Sequence, residues 1–137
     1  VGNHSLILTI VAAPDGVLRT SILSFLRAIP AVSVVALTSR ADRLPDLVRE
    51  TAADVLVLDA DLCSADGEAL LGCLRDCRPG LNTIVHSNSL PQLDRLRAAG
   101  ARHTLLKGFQ SDHLRRAVLD RGSAPMRNDA SPRSDAM

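Results

Sequence analysis

Five short apolar runs, each followed by a stretch of helical periodicity, constrain this chain more than anything else in it. The runs are residues 6–12, 32–38, 54–59, 83–87 and 103–107. They are dense in Val, Ile and Leu and too short for core helices, so they read as strands covered on both faces. Between them, Val17, Leu18, Ile22, Phe25, Leu26 and Ile29 share one helical face. A second helix near 42–51 turns Leu44, Leu47 and Val48 inward, and a third carries Leu70, Leu71 and Leu74. The third must stop before Pro79-Gly80. Ser89 caps a fourth helix with Pro91 in its first turn and Gly100 at its close. The fifth begins near Ser111-Asp112 and presents Leu114, Ala117, Val118 and Leu119. Strictly alternating strands and helices predict an α/β domain of three layers, a five-stranded parallel sheet with helices on both faces.

After residue 121 the pattern ends. Residues 122–137 are rich in Ser, Pro, Asp, Arg and Asn without apolar periodicity, and read as a flexible linker or tail.

Composition removes several function classes. Phe25 and Phe109 are the only aromatic residues in 137, so bases have almost nothing to stack on. A formal net charge of +1 gives no strong pull toward nucleic acid or acidic membranes. No apolar run approaches the roughly 20 residues of a membrane span, and no secretory leader pattern is present, so no membrane contact is expected. Three cysteines in a chain with ample core suit a reducing cytoplasm.

The chemistry-bearing residues sit where strands run out. Asp59 ends Asp54-Val-Leu-Val-Leu-Asp59, Ser87 ends Thr83-Ile-Val-His-Ser87, and Lys107 ends Thr104-Leu-Leu-Lys107. Open α/β sheets gather their ligands at this carboxyl edge. With Asp66-Gly67 in the loop after Asp59 and Gly100-Ala101 before the fifth strand, residues 4–121 resemble a bacterial response-regulator receiver domain, CheY-like and of flavodoxin-like (βα)5 fold. The resemblance implies that Asp59 is the phosphoacceptor, that Ser87 and Lys107 sense the phosphoryl group, and that Thr104 holds the switch position. A carboxylate oxygen can attack a phosphoryl group, and a lysine can neutralise the charge that arrives.

The chain departs from that family at three points. Ala13 and Pro14 stand where two metal-binding acids belong, and neither side chain offers the hard oxygen that Mg²⁺ needs. Asp15 lies one position further on and is the remaining metal-ligand candidate. Thr104 replaces the usual aromatic switch residue. The expected domain is therefore an atypical receiver without a resident cofactor. Asp59 and Lys107 read equally well as a buried ion pair closing the end of the sheet. The same resemblance implies a NarL/LuxR-type transcription regulator that meets DNA through an output domain beyond residue 137. It further implies a homodimer through the last two helices and fifth strand, and a histidine kinase as possible partner.

Other residues carry weaker signals. Cys73 and Cys77, at i and i+4, have the spacing to share a soft metal but read first as small buried or half-buried cysteines, and Cys63 lies near Asp59. His86 is expected to face away from the site if Ser87 faces in. His103 and His113 read as surface residues and His4 as part of a frayed terminus. Arg95, Arg97, Arg102, Arg115 and Arg116 read as a solvated basic face or a partner surface. A flavin or nucleotide binder would need a phosphate-cradling first loop, for which Ala12-Ala-Pro-Asp-Gly16 is poorly supplied.

Overall fold

A computed structural model describes residues 6–63 and 66–121. His4, the start of the expected domain and the expected tail from 122 lie outside the described residues. The strands are β1 (Ile7–Ala12), β2 (Val32–Thr38), β3 (Val55–Asp59), β4 (Asn82–Ser87) and β5 (His103–Leu106). They form one parallel sheet in the order β2-β1-β3-β4-β5. The helices are α1 (Val17–Arg27), α2 (Leu44–Thr51), α3 (Gly67–Cys77), α4 (Leu90–Ala98) and α5 (Ser111–Leu119). Short 3₁₀ turns, Ala41–Arg43 and Ala60–Leu62, precede α2 and follow β3. The expected fold class is the observed one.

Strand side chains alternate between two cores. Ile10, Leu56, Leu58 and Val85 pack with Leu44 and Val48 of α2, Leu71 and Leu74 of α3, and Leu93 and Leu96 of α4. Val11, Val57 and Ile84 pack on the other face with Ile22 and Leu26 of α1 and Leu114 and Val118 of α5. β3 is buried along its whole length because strands and helices cover it on every side.

The helix termini follow their sequence signals. Ser89 Oγ accepts a hydrogen bond from the Gln92 N–H at the start of α4. Gly100, at φ +123°, closes the same helix in a conformation that disfavours other residues. One face assignment changes. Val17 is 84% exposed and Leu18 is exposed as well, although their spacing placed them inward. They occupy the first turn of α1, which starts beyond the carboxyl end of β1. Burial begins only with Ile22 and Leu23.

Candidate functional site

β3 ends in Asp59, whose neighbours along the strand are all apolar and buried. Its side chain is 5% exposed, and its Oδ1 accepts from the Asp61 N–H at 2.8 Å. The carboxylate thus caps the Ala60–Leu62 turn, which returns Asp61 toward the site. Lys107 arrives from the end of β5, where Gly108 at φ +94° turns the chain away. Its backbone N–H bonds the Ser87 carbonyl at 2.8 Å, fixing the end of β5 against the end of β4. The Lys107 Nζ then lies 2.9 Å from Asp59 Oδ1 and 2.7 Å from Asp61 Oδ2. Burial would lower the lysine's pKa, but the bonds to Asp61 and Asp59 outweigh it and raise it above 10.5. The ammonium therefore stays charged and bridges two carboxylates.

The structure brings Asp59 and Lys107 together, but it engages the two hydroxyl candidates elsewhere. Ser87 Oγ donates to Gln92 Oε1 of α4 at 2.5 Å and accepts from the Ser89 N–H at 3.0 Å. Thr104 Oγ1 accepts from the guanidinium of Arg97, also on α4. Both hydroxyls tie α4 to the neighbouring strands.

The first loop supplies no oxygen to the site through Ala13 or Pro14. Ala13 is buried, and its N–H bonds the Thr38 carbonyl at 3.0 Å. Asp15 is 87% exposed on its side chain and pairs with Arg19 at 2.9 Å. Among the described residues, no three of His, Cys, Asp and Glu are grouped closely enough to hold a metal ion. The two carboxylates that remain, Asp59 and Asp61, already share an ammonium ion.

Two residues belong to the site although their sequence positions did not announce it. Asp61 read as an ordinary loop acid. Its only sequence signal is the Asp59-Ala-Asp61 spacing, which suits a capped turn. His86 faces away only if Ser87 faces in; Ser87 instead turns to α4, and His86 is the β4 residue in register with Asp59. It is fully buried, and neither ring nitrogen has a hydrogen-bond partner among the described residues. Phe109 meets its ring edge to face at 5.9 Å. Burial pushes the imidazole below its ordinary pKa of 6.5. Attraction by Asp59 works against that shift, and repulsion by Lys107 adds to it.

The remaining candidates are quieter. Burial, and then the Asp59 charge, push the Cys63 thiol up from 9.0, which disfavours its thiolate form. The Arg49 Nη1 donates to Cys77 Sγ at 3.0 Å beside exposed Cys73. His103 is half-buried rather than a free surface residue, and pairs with Asp120 at 2.8 Å.

No family model matches the sequence, and no curated protein matches it. Solved structures do. The signal receiver domain of the response regulator NarL from Mycobacterium tuberculosis superimposes with a TM-score of 0.75 at 20% identity, covering 84% of this chain and 94% of that one. A LuxR-family two-component response regulator from Aurantimonas sp. SI85-9A1 gives 0.74 at 20% identity, with 83% of each chain covered. The isolated receiver domain of RcsB from Salmonella enterica serovar Typhimurium, solved with the phosphomimetic BeF3⁻, gives 0.71 at 20% identity over 82% and 85%. The chain has the CheY-like receiver fold of these domains.

Proposed function

We propose that this chain is an atypical receiver module, not an enzyme, that controls a transcription-regulator output without conventional phosphoryl transfer. The observation that carries the reading is the Lys107 ammonium bound to Asp59 and Asp61 together. In this arrangement the acceptor carboxylate is capped and paired, and the first loop adds no metal-binding side chain. The response runs through α4, β5 and α5, because Ser87 and Thr104, the positions that would read a phosphoryl group, both bond to α4. A signal must favour one arrangement of that face over another, since a ligand equally content with both shifts nothing. Dimerisation through the face, with DNA reached through an output domain, completes the proposal and places the protein in the cytoplasm. Among the described residues no helix is long and apolar enough to cross a membrane.

The decisive experiment is a titration of Mg²⁺, with and without beryllofluoride, followed by backbone amide shifts. The expected result is no saturable change at Asp59, Ser87 or Lys107 in a well-folded spectrum. Saturable shifts there that spread into α4 and α5 would overturn the reading.

One observation favours a second reading, a conventional receiver phosphorylated on Asp59 by a histidine kinase. Asp59 and Lys107 meet at 2.9 Å at adjoining ends of the sheet, as an acceptor and its charge partner must. Under that reading Asp59→Asn abolishes regulation in cells while the domain stays folded. Full regulation in that variant would eliminate it.

A further inference from the structure

At the opposite edge of the sheet, the amino-terminal ends of β4 and β5 open onto a cavity of about 90 Å³. Leu71 and Leu81 form its apolar wall, and Arg75, Thr83, Gly100 and Arg102 supply the rest of the chemistry. Among the described residues no acid lines it. Four other arginines pair with aspartates: Arg19 meets Asp15, Arg40 meets Asp42, Arg49 meets Asp46 and Arg78 meets Asp54. Arg75 and Arg102 have neither an ion pair nor a side-chain hydrogen bond among the described residues.

Two contacts fix part of the cavity's frame. The Arg102 N–H bonds the Thr83 carbonyl at 2.9 Å, which holds the two residues side by side. Thr83 is only 5% exposed, yet its hydroxyl has no hydrogen-bond partner among the described residues and is not sealed off. Gly100 lies so close to Arg75 that an added Cβ would stand 3.0 Å from Nη1. The guanidinium therefore rests against a backbone that has room for it because this residue is glycine.

We propose that this cavity binds a small dianionic oxyanion of the phosphoryl class. Arg75 and Arg102 present planar forks of donors suited to paired oxygens, and the Thr83 hydroxyl adds a third donor. Two cations on a lining that has no acid among the described residues favour a dianion over a monoanion, and Arg102 borders Asp54 and Asp120 only on its far side, in a neighbouring pocket. The space is smaller than the roughly 150 Å³ that admits a benzene ring, so only the anionic group enters. Any organic remainder stays outside. The site stands at the far edge of the sheet from Asp59, and its occupation does not depend on how Asp59 works.

The test is a titration of inorganic phosphate into the labelled full chain at neutral pH, with ionic strength held constant by sodium chloride. Saturable one-to-one shifts at the Thr83, Gly100 and Arg102 amides are expected, with Asp59 and Lys107 unmoved. Arg75→Gln and Arg102→Gln should each weaken binding about tenfold, the loss of one charge-assisted contact. Both side chains are largely exposed, so the variants should keep the wild-type spectrum elsewhere. A parallel titration with glycerol 3-phosphate separates the two sources of the anion. Equal or tighter binding assigns the site to a phosphomonoester, and binding of phosphate alone assigns it to the free ion. Shifts that never saturate, that chloride reproduces, or that survive both substitutions would overturn the proposal.

Discussion

Lys107 and His86 lie beside the same carboxylate on neighbouring strands, and the structure treats them in opposite ways. Lys107 retains 12% of its side-chain exposure and finds two anions. His86 has no exposure and finds no partner for either nitrogen among the described residues. One is held charged and the other is held neutral. The difference shows that burial alone does not decide ionisation. What decides it is whether the fold supplies partners that replace the lost water.

The largest effect expected from this contrast comes from breaking the ion pair. Lys107→Ala leaves Asp59 buried without its cation and should cost about 3–5 kcal/mol in urea unfolding. The double variant Asp59→Leu/Lys107→Met should recover most of that loss, because it removes both charges together. A single-variant loss of less than about 1 kcal/mol would mean the pair behaves like one on an open surface.

His86→Leu should move stability the other way. Removing an unsatisfied buried polar ring should gain about 1–3 kcal/mol. The pH dependence follows from its lowered pKa. As pH falls below 6.5, the unfolded chain binds a proton that the folded imidazole refuses, so wild-type stability drops. The drop continues until the folded-state pKa is passed. His86→Leu should lack that component, and thermal denaturation across mildly acidic pH would reveal it. Parallel profiles for the two proteins would show that His86 is not held neutral.

Smaller effects test the links away from the ion pair. Ser87→Ala loses the bonds to Gln92 and Ser89 and should cost about 1 kcal/mol, with amide shifts concentrated in the first turn of α4. Shifts centred on Lys107 instead would place the hydroxyl nearer the charges. Asp15→Ala should change stability by no more than about 0.5 kcal/mol, because Asp15 is itself 87% exposed in its i,i+4 pair with Arg19. A response at the Asp59 amide would return Asp15 to the site.

Much of the architecture was legible in the chain. The run from Val55 to Leu58 could only be a covered strand, and the acid after it had to emerge at an edge. Ser89 and Gly100 marked the ends of α4 because cap geometry is local. Val17 and Leu18 were misjudged because helical spacing identifies a face without showing how far the opposite layer extends. Asp61 was hidden for another reason. Its partner is 46 residues away, and local sequence holds no record of that distance. The engagement of Ser87 with Gln92 depends similarly on where the first turn of α4 meets β4.

The sequence by itself determined the alternation of strands and helices, the layered fold and the strand ends at which Asp59 and Lys107 emerge. These follow from periodicity and capping, which act over a few residues. Only the tertiary structure decided that Lys107 bridges two carboxylates, that His86 lies buried beside them, and that Arg75 and Arg102 line one cavity. Those outcomes depend on strand register and on approaches between distant segments. The resulting short distances and exclusion of water then set the strength of each electrostatic interaction.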